Sequence, residues 1–162
     1  MLSNVRPLTL APAPAEHGAD VVFCSHCARR PEEEPAPRVC QGCGMGVVLR
    51  TSAAAAPRAS DPFLIIDASL TVSALSRRAE QLLGISEVDA VNRHIGEYLV
   101  AADVEPSPEQ NLAAALAWAA RGDDGPRRLS VRPANTFGIR WSAVISPCGP
   151  PNGALLVLPD AS

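Results

Sequence analysis

The sequence predicts an α+β protein: a five-stranded antiparallel sheet with helices on one face, preceded by a small cysteine-rich segment. Three observations lead to this fold class. Short segments after residue 62 are apolar or alternate between apolar and polar residues, which is typical of strands. Between the second and the third of these strands, apolar residues recur at the spacing of a helix. Four of the five cysteines lie in two close pairs before residue 50.

The strands are predicted from two kinds of pattern. The first two form a hairpin, because a turn over Asp67, Ala68 and Ser69 separates two short apolar segments. Two later segments, residues 128–132 and 139–145, alternate between apolar and polar residues, and the first has Leu129 and Val131 on one face. The last segment, residues 154–158, is continuously apolar. The five predicted strands cover residues 63–66, 70–75, 128–132, 139–145 and 154–158.

The helices are predicted from capping residues and apolar spacing. Ser76 stands at the N-cap of a short helix that Gly84 ends. The longest helix is predicted over residues 108–121, with Ser107 as its N-cap and Gln110 completing a capping box. Weaker helical patterns cover residues 87–91 and 95–99.

Changes in composition along the chain predict four segments. Residues 1–19 include a run of alternating Ala and Pro and are predicted to form a disordered tail. Residues 20–50 hold the paired cysteines, and residues 51–61 form a linker. Residues 62–159 form a second domain of common size.

The paired cysteines predict a metal site. Cys24 and Cys27 form one Cys-x2-Cys turn, twelve residues follow, and Cys40 and Cys43 form a second. Each turn aims two thiolates at one ion, and the spacing lets the turns approach it from opposite sides. Zinc is the expected occupant, and it should contribute on the order of 10 kcal/mol to folding in a segment with almost no core. The segment over residues 21–50 resembles a zinc ribbon.

Two alternatives to this site stay open. An iron centre of the rubredoxin type would use the same four sulfurs, although the first turn lacks the Pro and Gly usual in that family. His26 lies inside the first turn and His17 precedes it, so either could replace a cysteine ligand. Because four cysteines already complete the coordination shell, we expect His26 to be an exposed residue outside it.

A second set of motifs lies in residues 61–159. The segment DASLTVSALSRRAEQLLG at residues 67–84 predicts a hairpin that leads into a Ser-capped helix ending in Leu-Leu-Gly. The segment NRHIGEYL at residues 92–99 follows, and three strands close the chain. Together these features resemble a PAS domain. The resemblance implies a sensory or interaction module whose sheet and helices enclose a pocket, and which often pairs with a partner domain or with itself.

The residues do not match the cofactor-binding members of that family. A flavin photoreceptor carries its reactive cysteine in an Asn-Cys-Arg-Phe helix, whereas Cys148 is predicted in a loop over residues 147–153. A haem-binding member carries a histidine in the long helix, and residues 108–121 contain none. We therefore expect neither a flavin adduct nor haem, and we interpret His94 as a structural or surface residue. The expected core residues include Trp118 and Trp141.

Charge and composition exclude several function classes. The net charge is −3, and residues 20–50 carry four arginines and four acids, to which a zinc ion with four thiolates adds −2. This balance argues against nucleic-acid binding. The sequence contains no catalytic grouping and no phosphate-binding loop of the Gly-x4-Gly-Lys type, so we expect no enzyme activity. No apolar stretch approaches the roughly 18 residues of a membrane span, and no signal-peptide pattern is present, so we expect a cytoplasmic protein without membrane contact.

These observations predict a non-enzymatic sensory or regulatory protein. The PAS-like domain is expected to bind a small ligand or a protein partner, or to form a homodimer, while the zinc ribbon is a structural or interaction module. One alternative is a redox or metal sensor, in which oxidation of the ribbon thiolates releases zinc. Another is transcription-associated nucleic-acid binding through the ribbon, which the charge count disfavours.

Overall fold

The chain forms two antiparallel sheets in a computed structural model that describes residues 18–103, 107–122 and 125–161. A two-stranded sheet pairs β1, Asp20–Cys24, with β2, Val48–Ser52. The strands of the larger sheet are β3 (Phe63–Ile66), β4 (Val72–Leu75), β5 (Leu99–Ala101), β6 (Arg127–Pro133), β7 (Trp141–Cys148) and β8 (Gly153–Val157). They lie in the order β4-β3-β8-β7-β6-β5, and the α+β class is confirmed.

The larger sheet has six strands, so the prediction of five was one too few. The additional strand is β5, which pairs antiparallel with the end of β6. Three residues are too short a segment to display a period of two, so β5 is recognisable only through its partner strand. The second predicted strand also begins later than expected, at Val72, because Leu70 has a left-handed backbone with φ of 62°.

The short helices agree with their capping signals. The first, α1, covers Arg77–Leu83; Ser76 Oγ accepts a hydrogen bond from the Ala79 N–H, and Gly84 ends the helix at φ 65°. A second helix, α2, covers Glu87–Ala90, and a 3-10 turn covers Ile95–Glu97. The caps therefore decided where these elements begin and end.

The long helix was predicted to begin too early. The helix α3 covers Leu112–Ala120, and its N-cap is Asn111, whose side chain accepts from the Ala114 N–H. The preceding residues, Pro108–Gln110, form a separate 3-10 turn in which Ser107 makes no capping bond. The predicted capping box is wrong because Gln110 Oε1 accepts instead from the backbone N–H of Ser130 on β6.

The two faces of the larger sheet bury different partners. Leu64, Ile66 and Leu156 face the helices, and they share one apolar cluster with Leu116 of α3. Alternate residues of the same strands face the other way. They share a second cluster with the cysteine-rich segment of residues 20–50, which is called the ribbon below. That second cluster contains Phe23, Ala28, Leu49, Phe63, Ile65, Ala74, Cys148, Leu155 and Val157. The small sheet therefore lies against the face of the large sheet that the helices leave free.

The remaining segment predictions are tested only in part. The predicted tail lies outside the described residues apart from Gly18 and Ala19, which are exposed. Strand β2 runs to Ser52, two residues beyond the predicted end of the ribbon, and a turn follows it. The division into domains stays a prediction. In the described part of the chain, no helix has the length and apolar character needed to cross a membrane.

Candidate metal centre

The four predicted cysteines come together at one point of the ribbon. The sulfur atoms of Cys24, Cys27, Cys40 and Cys43 all lie within 4.8 Å of one another. Cys24 Sγ is 3.6 Å from Cys43 Sγ, and Cys27 Sγ is 3.8 Å from Cys40 Sγ. A tetrahedral zinc ion with Zn–S bonds of about 2.3 Å places its sulfurs about 3.8 Å apart. The donor set therefore fits a metal ion such as zinc.

The two Cys-x2-Cys turns have matching backbones. The carbonyl of Cys24 accepts from the Ala28 N–H at 3.0 Å, and the carbonyl of Cys40 accepts from the Gly44 N–H at 2.9 Å. Ala28 and Gly44 each follow the second cysteine of a turn, and both are left-handed, with φ of 61° and 69°. The backbone N–H of His26 also points to Cys24 Sγ, at 3.4 Å. Such N–H donors favour the thiolate that a metal requires.

The cysteines differ in their protonation tendencies. Burial raises the pKa of Cys24 and of Cys27, because a low-dielectric surrounding disfavours the thiolate. Burial also opposes ionisation of Cys43, but hydrogen bonds from the backbone of Gly46 and Met45 and from the side chains of Cys24 and Cys27 together outweigh it and lower the pKa of Cys43 to about 6. A bound cation would favour the thiolate at every position. Four sulfurs in this arrangement would suit zinc or iron, of which zinc is the more common structural ion.

Sequence reasoning missed the importance of Gly46. A Cβ atom at this position would overlap Cys24 Sγ and lie 2.8 Å from the backbone nitrogen of His26. Only a residue without a side chain allows the two turns to approach this closely. The signal available in the sequence was a glycine three residues after Cys43, which is too common to be diagnostic.

His26 is not the exposed residue that the sequence predicted. Its relative exposure is 3%, and its Nδ1 has no hydrogen-bond partner among the described residues. The nearest acidic atom is Glu87 Oε2 of α2, at 3.9 Å. The sulfur cluster forms without His26. The contacts of His26 with the start of α1 and with Glu87 show that the first turn packs against these helices. His17 lies outside the described residues.

Cys148 lies at the end of β7, where the sequence predicted a loop. Its side chain is buried, and burial raises its pKa to about 12. A thiol with so high a pKa is a poor nucleophile at neutral pH. Cys148 is therefore the one described cysteine outside the metal cluster, and it belongs instead to the apolar cluster beneath the ribbon.

His94 and the two tryptophans, which the sequence predicted to be structural or core residues, differ in their surroundings. His94 Nδ1 accepts from the Gly96 N–H and caps the 3-10 turn, as expected for a structural residue. Trp141 packs partly against the helix-facing core, whereas Trp118 is 39% exposed and stacks with Arg127, so its prediction as a core residue was wrong.

Two cavities bear on ligand binding. The helix side of the sheet is filled by apolar side chains, and a cavity of about 250 Å³ opens at its edge beside Tyr98 and Trp141. A larger cleft of about 440 Å³ lies between β2, the connection from β7 to β8, and the end of α3. Arg50 and Asp20 bring one charge of each sign to its lining. Neither cavity contains a set of convergent polar groups that defines a ligand.

Comparison with known proteins does not assign the chain to a family. No protein-family model matches the sequence, and no curated protein is significantly similar to it. The zinc-ribbon and PAS interpretations rest on the residues of this chain alone.

Proposed function

We propose that this protein is a non-enzymatic regulatory protein that binds a protein partner, with a zinc ribbon attached to a PAS-like domain. The observation that carries the proposal is the cluster of four sulfur atoms within 4.8 Å. In a reducing cytoplasm, such a cluster holds a metal rather than disulfides. Zinc bound to four thiolates has no open coordination position, so its role here is structural and not catalytic.

Two observations favour a protein partner over a small ligand. The space between the sheet and its helices is occupied by fully buried side chains, among them Leu64, Leu116 and Leu156. On the ribbon, Val39, Met45 and Val47 are strongly exposed, with Met45 at 64%. Val39 and Val47 also form a backbone bridge, so their side chains belong to one small surface. Clustered exposed apolar residues are typical of interaction sites.

Native mass spectrometry of the full chain, purified from its host under mild conditions, tests this function. We expect one zinc ion per chain and a defined protein complex. A bound organic molecule without a partner would instead make the protein a ligand sensor, and a chain without metal would remove the ribbon from the proposal.

A matched pair of variants tests where the partner binds. Met45→Asp introduces a charge into the ribbon surface and should weaken the complex at least tenfold. Val88→Asp places the same charge at a residue of α2 that is 87% exposed and lies outside the surface of Val39, Met45 and Val47, and it should leave the complex unchanged. Equal effects of both variants would contradict binding through the ribbon.

A second candidate function is a redox sensor, favoured by the spacing of the sulfurs. Cys24 and Cys43 are 3.6 Å apart and Cys27 and Cys40 are 3.8 Å apart, so each pair needs only a small movement to form a disulfide. Peroxide would take two electrons from each pair, becoming water, while the zinc ion leaves. Zinc release by mild peroxide, reversed by a thiol reductant and added zinc, would support this function; a ribbon inert to peroxide would exclude it.

A further inference from the structure

One face of the larger sheet is apolar and lies away from the helices. Phe63 and Ile65 of β3 pair with Val157 and Leu155 of β8, and all four side chains are almost completely buried. Their cluster contains no residue of the described helices. Uncovered, these neighbouring side chains would form an apolar patch of the kind that soluble proteins rarely expose.

The ribbon supplies the cover for this face. The ring of Phe23 meets the ring of Phe63 edge to face, with centroids 5.8 Å apart. Leu49 lies opposite Phe23 in the hairpin register, and Ala28 joins the same cluster. All three side chains are buried.

Two of the three covering residues are next to cysteines of the metal cluster in the sequence. Phe23 immediately precedes Cys24, and Ala28 immediately follows Cys27. The side chain of Ser25, between the two cysteines, accepts from the Val47 N–H of the segment that leads into β2. A displacement of the first turn therefore displaces the residues that touch the sheet.

The first turn is also hydrogen-bonded to the start of α1. The backbone carbonyl of His26 accepts from the Arg77 N–H at 2.9 Å. The neighbouring carboxylate of Glu87 lies 3.9 Å from the buried imidazole and accepts from the Leu75 N–H at 2.8 Å. A continuous set of contacts thus joins the sulfur cluster to β4, α1 and α2.

Besides the metal, a short hairpin and two hydrogen bonds between Ser25 and Val47 hold the two turns of the ribbon together. Its strands are five residues each, and an isolated two-stranded hairpin is marginally stable in water. The turns meet through paired sulfurs, Cys24 with Cys43 and Cys27 with Cys40. Without an ion, these pairs are joined by weak sulfur–sulfur hydrogen bonds and by no covalent bond.

We propose that metal binding at the four cysteines locks the ribbon onto the sheet, and that metal loss uncovers Phe63, Ile65, Leu155 and Val157. This inference rests on the metal centre of the proposed function but not on the identity of any partner. Metal occupancy then controls a surface some distance from the ion, because the cover and the metal ligands are the same segment. By linkage, an intact cover must in turn raise the affinity for the metal.

Cys148 provides a reporter for this opening. It lies in the covered cluster at 6% exposure, and it is not a metal ligand. The experiment treats the zinc-loaded full chain with N-ethylmaleimide, with and without EDTA, and maps the labelled cysteines by peptide mass spectrometry. We expect slow labelling of all five cysteines with zinc. After zinc removal we expect fast labelling of all five, with the rate at Cys148 raised at least tenfold.

Three other outcomes would overturn the proposal in distinguishable ways. Fast labelling of the four ligand cysteines with Cys148 still protected would show that the cover stays closed without metal. Loss of amide-exchange protection in β8 and α3 after EDTA would show that the whole chain unfolds rather than the cover opening. A purified chain without zinc, with four reactive cysteines, would overturn the metal centre itself and this inference with it.

A pair of phenylalanine variants tests the cover while the ligands stay intact. Phe23→Ala removes the ring that meets Phe63 and should raise Cys148 labelling at least tenfold and weaken zinc binding. Phe137→Ala removes a ring that is 79% exposed and should change neither. Unchanged labelling and zinc affinity in Phe23→Ala would overturn the proposal.

Discussion

The ribbon and the larger sheet are stabilised by different means. In the larger sheet, the helix-facing side of the strands shares a cluster of twenty buried residues with the helices. The ribbon buries Phe23, Ala28 and Leu49 in a cluster shared with the larger sheet, and its own centre is a group of four sulfur atoms. One region therefore depends on the hydrophobic effect, whereas the proposed metal ion would stabilise the other by coordination.

The small region depends on the large one for much of its apolar burial, in addition to the proposed metal. A segment of about thirty residues cannot bury enough apolar area to fold by itself. The larger sheet provides a surface on which the ribbon packs. Thr51 of β2 donates to the Pro147 carbonyl at 2.9 Å, and Arg50 exchanges backbone hydrogen bonds with Gly149.

Loss of one metal ligand should have the largest effect, confined to the ribbon. Cys40→Ser removes one of the four thiolates. Structural zinc contributes on the order of 10 kcal/mol to folding, and most of this stabilisation should be lost. We expect no stoichiometric zinc in native mass spectra and fast amide exchange over residues 20–50, with β8 and α3 still protected. Cys148→Ser is the matched control, because it removes the one described cysteine outside the cluster and should keep zinc.

Truncation of a side chain in the helix-facing core should have the next largest effect. This effect should fall on the larger sheet rather than on the ribbon. Leu156 is fully buried at the centre of that core, so Leu156→Ala should lower the free energy of unfolding by about 2 to 5 kcal/mol. Chemical denaturation measures this loss. Val88→Ala, at an exposed position, should change stability by less than about 0.5 kcal/mol. Similar losses in the two variants would contradict the described core.

Crowding between the two cysteine turns should have a smaller effect. In Gly46→Ala, the added methyl group meets Cys24 Sγ and the His26 backbone, which cannot both move without disturbing the cluster. We expect a cost of about 1 to 3 kcal/mol, measured as weaker zinc binding in competition with a chelator. Gly18→Ala, where nothing lies within 4 Å, is the control and should bind zinc normally.

The smallest effect should be a pH dependence at the contact between the two regions. Burial raises the pKa of Cys148 to about 12 from its ordinary value of 9.0. The unfolded chain therefore loses this proton first, so the stability contribution is fully present below pH 9 and is lost between pH 9 and 12. The stability difference between the wild type and Cys148→Ser should fall by about 1 kcal/mol from pH 8 to pH 10. A pH-independent difference would mean that Cys148 is not buried.

Local signals in the sequence determined much of this protein. The spacing of the cysteines identified all four clustered sulfurs, because a turn of fixed geometry brings residues i and i+3 together. The hairpin of β3 and β4 and the helix between Ser76 and Gly84 also followed from local chemistry, since turns and caps are satisfied within a few residues.

The tertiary structure decided the features whose cause lies far along the chain. Gln110 bonds to Ser130 instead of capping its own helix, β5 exists only through β6, and His26 is buried only because the ribbon contacts the larger sheet. The sequence could not reveal that both faces of this sheet are covered, because alternation shows that a strand has two faces but not what lies on each. Contacts between residues distant in sequence depend on how whole elements pack, and no local pattern encodes that packing.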